Sequence, residues 1–541
     1  MAELAQHLRR LVDTAEHDPT LGLVVGMGEE MAFDELALEH VAEDSSASDS
    51  SSSDSDGSML TFSDDEEELL DTTAEQAAAG RDLQGIPWER LHWTREQYRT
   101  TRLANYRNYV NVLPEDAAKY SLLSLVVSAA AQPPSRPAGQ RCGQWGLSRP
   151  ELLRRCASVE HSAAFFTFLR NNRAVQLNIV HFQLRNLVWA LSRNDVFLVH
   201  DNVVKHWSPL TRTSTQVMDL SGNSPAARIP GLGRVQVSTL CVQHDLVAAG
   251  GFGGELVVKR LAPEQQQGTG QEEEQGEAAG PLDNGITNGL EIFDSLQHGT
   301  CVLAANNDCC VRLFDAHTFK CSERWEFPWA VNYASLRPEG HLVAVVGDDP
   351  VTELVDVHSG RTVAHLPAHA DFSFAAAWHP HGNLLATGNQ DTTTVVWDIR
   401  NTGAPLTQLA AAMGAVRSLR FSQDGAFLAA SEPADFVHIY DVASGFRTAQ
   451  QIELFGDIAG FSFTPAGDAF FVGIADTTYA SLLQYNAVQR SGAHRWSGWD
   501  DDVAEAVAAR SAARLTVPET AAVAGSGDQP GAGVPAGSQR V

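Results

Sequence analysis

Four histidines, His365, His369, His379 and His381, fall within 17 residues of one another. His365 and His369 have the H-x-x-x-H spacing that holds zinc when it lies on a helix. Here the surrounding residues read as strands and a turn, not as the helix that this spacing needs. Structural roles are expected for all four. Cys301, Cys309, Cys310 and Cys321 lack C-x-x-C spacing, and adjacent residues on a strand face opposite ways. They read as buried thiols. The segment AGGFGGEL holds Gly250, Gly251, Gly253 and Gly254. A phosphate-cradling loop needs a helix behind it, and residues 255–259 read as a strand, so a tight turn is expected. No G-x-S-x-G motif or framed pair of acids occurs. The residues therefore propose no catalytic group, no metal and no cofactor.

The elements that position these residues repeat. Gly340, Gly382, Gly425 and Gly467 close the turns RPEG, HPHG, SQDG and TPAG at spacings of 42, 43 and 42. The pairs Phe314-Asp315, Val355-Asp356, Trp397-Asp398 and Tyr440-Asp441 recur at 41, 42 and 43. A third series is Asp308, Asp349, Asp391, Asp435 and Asp476. Three series in phase at this period indicate four-stranded propeller blades. Between the turns the residues are Val, Leu, Ala and aromatic, as in half-buried strands. Weaker repeats at 178–208, 234–261 and 284–315 bring the expected number of blades to seven. The repeats occupy 175–486, with an acidic loop at 264–281.

The flanks differ. The 541 residues carry a net charge of −29, and −19 of it lies in residues 1–80. That balance opposes non-specific nucleic-acid binding and docking on anionic membranes. Residues 1–80 are acidic and Ser-rich and are expected to be disordered. Within them Ser63 precedes five acids, a context for acidophilic kinases, and is a phosphorylation candidate. Residues 81–174 form an N-terminal extension whose Arg- and aromatic-rich start has room for a short helix. A segment inserted at 121–158 contains Pro133, Pro134 and Pro137. Residues 487–541 read as a disordered tail. Seven cysteines, an odd number without C-x-x-C, suit a reducing compartment. With no leader and no apolar run of spanning length, the expectation is a cytoplasmic or nuclear protein, neither secreted nor transmembrane.

The segment AHADFSFAAAWHPHGNLLATGNQDTTTVVWDIRN resembles a complete WD repeat. The phrases RDLQGIPWERLHW, FPWAVNYASLRPEG and ASEPADFVHIYD resemble a plant, algal and fungal group of WD-repeat proteins of undefined function. The resemblance implies an all-β, seven-bladed WD-repeat β-propeller. It implies a structural tetrad of His369, Thr387, Asp391 and Trp397, in which Trp397 packs and donates its indole N–H. It implies a non-enzymatic scaffold for protein partners. In the family, partners dock on the rim around the channel. Transferred to this chain, that rim comprises Phe372, Phe374, Gln390, Arg417, Asp457, Asn332, Arg185 and Asn288. Arg417 is singled out there, because a charged residue has little reason to sit at such a position for packing. Residues 385–400 resemble the DWD box, with Trp397, Asp398 and Arg400 at the positions that dock on a cullin–RING ubiquitin ligase adaptor. The alternatives are therefore a substrate receptor of that ligase, or an enzyme with perturbed polar groups converging in the channel.

Overall fold

The structure is a computed structural model. It describes residues 71–111, 149–222, 232–261, 277–279, 285–295, 299–338 and 340–488. The chain divides into two units, 1–494 and 495–541, and every described residue belongs to the first.

Antiparallel sheets follow one another along the chain. Sheets I to V have four strands each and lie within 188–219, 237–279, 287–326, 331–367 and 373–410. A sixth assembly has eight strands. Its long strand, Ala449–Phe463, pairs with Ala434–Asp441 through its first half and with Ala469–Ala475 through its second. It is thus the outer strand of sheet VI and the inner strand of sheet VII. Sheet VII is completed by Phe166–Asn172, antiparallel to Ser481–Ala487. The result is seven four-stranded sets. The inner strands of sheets I to VI touch in chain order, Arg420 of sheet VI reaches Ser462 of sheet VII, and Ala449–Phe463 touches Val188–Ser192 of sheet I, which closes the circuit.

Local chemistry explains the strands and turns. The strand Leu384–Asn389 (LLATGN) is buried throughout, as is Ser373–Trp378 beside it. The four periodic glycines, Gly340, Gly382, Gly425 and Gly467, all have φ between +68° and +78°. Each donates its N–H three residues back, as Gly382 does to the His379 carbonyl at 2.7 Å. Only glycine adopts that backbone without a steric cost, which is why the series is invariant within the chain. Between sheets the core is aliphatic and aromatic. Trp397, Tyr440, Phe446, Phe461, Phe470 and Phe471 are its largest fully buried side chains, each stabilising by roughly 1.5–3 kcal/mol relative to exposure.

The structure corrects several boundaries. Phe166–Asn172 belongs to sheet VII, although it precedes 175. It carries none of the periodic residues, so no repeat reveals it. Glu277–Ala279 is the outer strand of sheet II, inside the stretch read as a loop. Thr72–Thr73 and the helix α1, Ala74–Ala78, are ordered elements inside the stretch read as disordered. Helix α2 spans Arg95–Asn105, and α3, Arg149–Arg155, lies in the inserted segment. Residues 1–70 with Ser63, 112–148, 262–276 and 489–541 lie outside the described residues. Among the described residues no helix is long and apolar enough to cross a membrane.

Candidate protein-binding face

Three of the four expected tetrad members meet around His369, and Thr393 joins them, with its hydroxyl 3.3 Å from His369 Nδ1. His369 Nε2 meets Thr387 Oγ1 at 2.8 Å, and its Nδ1 meets Asp391 Oδ2 at 3.2 Å. Asp391 also accepts from the Ala370 N–H at 2.9 Å, the Thr393 N–H at 3.0 Å and the Thr393 hydroxyl at 2.7 Å. Trp397 departs from the expectation. Its indole N–H is buried and has no acceptor among the described residues. It acts through packing alone, at 1% exposure.

The predicted rim residues divide by one backbone feature. In sheets II to V and in sheet VII the inner strand has one extra residue near its start: Ser238, Asn288, Asn332, Phe374 and Ala459. Such a bulge re-aims the extra side chain. Here it aims at the next sheet. Ser238 Oγ donates to the Thr287 carbonyl at 2.6 Å, Asn288 Nδ2 to Val331 at 2.8 Å, and Asn332 Nδ2 to Ser373 at 3.1 Å. Phe374 lies under the Arg417 guanidinium, 4.1 Å from ring centroid to Cζ. Asn288, Asn332, Phe374 and Arg417 are all buried. They staple sheet to sheet, which corrects their assignment to a partner. Arg417 sits there for packing after all, since a ring face holds its charge. Arg185 is also buried, 3.9 Å from Asp457, whereas Asp457 is exposed and Phe372 half-buried.

Gln390 is already engaged by the chain's own N-terminal segment. Helix α2 starts at Thr94, whose hydroxyl accepts from the Gln97 N–H at 3.2 Å while the Gln97 side chain accepts from the Thr94 N–H. Arg95, Arg99 and Arg102 then share one face. Asp435, the turn aspartate of sheet VI, receives Arg99 Nη1 and Arg102 Nε, each at 2.6 Å, and the Gly456 N–H at 3.1 Å. Burial pushes the Asp435 carboxyl up, and the guanidiniums of Arg102 and Arg99 oppose that push. Arg99 also lies over the rings of Phe455, at 4.2 Å, and Phe436, at 4.6 Å. Gln84 exchanges two hydrogen bonds with the Phe455 backbone. Past the helix, Tyr106 packs on Met413, Ala434 and Phe436. Asn108 and the Tyr109 carbonyl bond Gln390, and Asn111 bonds Asp371 twice at 3.0 Å. Residues 82–111 thus form a strap over the turns of sheets V to VII. Its outer side exposes Trp93, Leu103, Tyr109 and Val110, by 48, 43, 56 and 59%.

The other singled-out groups find ordinary posts. His379 Nε2 lies 3.1 Å from the Gly425 carbonyl, and burial brings its imidazole down to about 4. His365 is a half-buried strand residue opposite Glu353, and His381 is exposed. Among the described residues no three His, Cys, Asp or Glu side chains are grouped to hold a metal ion. Cys301 and Cys310 are buried, but Cys309 is half-buried and Cys321 exposed, against expectation. Gly251, Gly253 and Gly254 form a turn closed by Glu255, followed by the strand Leu256–Arg260. Arg400 forks onto Asp398, Nε to Oδ1 at 3.0 Å and Nη2 to Oδ2 at 2.9 Å.

Comparison with known proteins agrees with this architecture. Residues 360–398, which include His369, Thr387, Asp391 and Trp397, match the family "WD domain, G-beta repeat". The chain carries a WD repeat. An uncharacterised protein of Schizosaccharomyces pombe is 26% identical over 231 residues, 38% of this chain and 64% of that protein. The THO complex subunit 3 of Arabidopsis thaliana is 27% identical over 154 residues, 28% of this chain and 48% of that one. A probable cytosolic iron-sulfur protein assembly protein 1 of Eremothecium gossypii is 35% identical over 95 residues, 16% of this chain and 29% of that one. The chain therefore spans less than two thirds of the length of these relatives. A chain in a crystal structure of the mitotic checkpoint complex superimposes with a TM-score of 0.46 at 15% identity, over 66% of this chain and 97% of that one.

Proposed function

We propose that this protein is a non-enzymatic scaffold that binds partner proteins on the composite face of strap and propeller turns. One observation carries the reading. The strap is held by a buried ion cluster at Asp435, yet it turns four large apolar side chains, Trp93, Leu103, Tyr109 and Val110, to solvent. Rigid aromatic and aliphatic groups presented on a fixed backbone are what a binding hot spot requires. Relatives named as a complex subunit and as an assembly protein support a scaffold role. They also suit a nuclear or cytoplasmic setting. The ligase-receptor reading gains no support, since the Arg400 fork is taken up by Asp398. The test is affinity recovery with the Leu103→Ser/Val110→Ser variant beside Arg400→Ala. Loss of partners in the first alone, at unchanged melting temperature, supports the strap face. Loss in Arg400→Ala alone transfers the function to the opposite turns.

A further inference from the structure

Side chains of non-adjacent sheets meet only across the space that the inner strands enclose. Arg420 of sheet VI lies over the Trp189 ring of sheet I, 3.6 Å from its centroid. Ser418 Oγ reaches Asn186 Oδ1 at 2.8 Å across the same gap. Sheet VII stands between those two sheets in the circuit. Tyr333 of sheet IV is close enough to feel Glu291 of sheet III, Cys241 of sheet II and Arg420. Trp189, Glu291, Tyr333 and Arg420 lie inside the ring, yet each keeps some accessible surface. Room for water-sized groups therefore exists between them.

In this lumen Arg420 has no carboxylate partner among the described residues. Arg420 makes one hydrogen bond among the described residues, from Nη1 to Ser462 Oγ at 3.3 Å. Its Nη2 is buried without an acceptor among those residues, and none of their carboxylates forms an ion pair with it. The Trp189 and Phe461 rings offer only their faces. Glu291 does not neutralise it. That carboxyl accepts from the Leu336 N–H at 3.1 Å, and burial pushes it up to about 7. Burial, and then the guanidiniums of Arg185 and Arg417, bring the His181 imidazole down to about 4, so it adds no charge at neutral pH. A half-buried guanidinium with one nitrogen lacking an acceptor and with no counter-charge is costly, and its fork matches carboxylate and phosphate oxygens.

We propose that the lumen binds a small oxyanion, the carboxylate or phosphate group of a soluble compound, with Arg420 as its charge partner and Trp189 as the wall that orients the fork. This site is separate from the strap face and does not depend on it. The full chain is titrated by calorimetry with inorganic phosphate and with succinate, against chloride at matched ionic strength. Thermal unfolding is followed in parallel. Saturable binding of one probe, with a raised melting temperature, is expected, and the probe that binds names the source of the oxyanion. Arg420→Lys loses the fork and binds at least tenfold more weakly, and Arg420→Met does not bind. If Arg420→Met fails to fold, Arg420→Lys decides. The proposal is overturned if neither probe binds saturably, or if the Lys variant binds as the parent does. It is also overturned if Arg420→Met melts higher than the parent with no anion effect on either, because the side chain is then mere packing.

Discussion

At the scale of single residues, Asp391 and Trp397 separate into hydrogen bonding and packing. Replacing Asp391 with Ala leaves the N–H groups of Ala370 and Thr393 without their acceptor. A loss of roughly 2–4 kcal/mol in unfolding free energy is expected. Trp397 and Thr387 should show almost no coupling. A double-mutant cycle of Trp397→Phe with Thr387→Val should give less than about 0.5 kcal/mol, because the indole N–H meets no acceptor. A larger coupling would return Trp397 to the network. Glu291 makes a pH-dependent prediction. Its folded-state value, about 7, lies above the ordinary 4.5, so the folded protein holds the proton more tightly than the unfolded chain. The stability this confers is fully present below the ordinary carboxylate range and is lost as pH rises through 7. Glu291→Gln should therefore flatten the fall in melting temperature between pH 5 and pH 8, with its gain over the parent largest at pH 8. An identical pH profile in both proteins would remove Glu291 from the account. The His369, Thr387 and Asp391 cluster was legible through the resemblance of one segment to a WD repeat, and the turn-aspartate series alone pointed only to Asp391. The indole N–H was not, because a donor's partner depends on a side-chain angle of a few degrees.

At the scale of elements, the same register position serves different ends. Asp391 organises its own turn, Asp308 grips Arg312 of its own sheet, and Asp435 receives the strap. Sequence period reveals the position but not the use. Asp435→Ala should leave Arg99 and Arg102 with no carboxylate at that turn and cost about 3–5 kcal/mol. Hydrogen exchange along 95–105 should rise far more than exchange in sheets I to III. Uniform exchange across the molecule would show that the strap is not held there. The bulge staples were missed for a physical reason. Polar residues at Asn288, Asn332 and Arg417 look like surface groups when a regular strand is assumed. One extra residue rotates Asn288 and Asn332 sideways into the neighbouring sheet, while Arg417, just before a strand without such a bulge, is held over the Phe374 ring of the sheet before it. A signal was available: Ser238, Asn288 and Asn332 each precede a Thr, Gly or Tyr at the same point of the repeat. The helix was legible in outline, from an Arg- and aromatic-rich stretch. Its docking site was not, because the contacts are more than 300 residues away in sequence.

At the scale of the molecule, the repeating glycine and aspartate turns made sheets IV to VII plain in the sequence, and the weaker upstream repeats fell where sheets I to III lie. The strand that completes sheet VII left no such mark. Deleting 166–172 should leave Ser481–Ala487 as a bare edge, and edges of that kind recruit other chains. Size-exclusion chromatography should then show self-association, and a monomer as stable as the parent would contradict the closure. This clasp has a further consequence for how the protein comes to be made. Phe166 pairs with Ala487, so the ring's last seam joins residues that leave the ribosome far apart in time. Sheets I to VI are synthesised while the seam lacks one of its halves. Until then Phe166–Asn172 waits as a strand without its partner, an open edge on the chain already made.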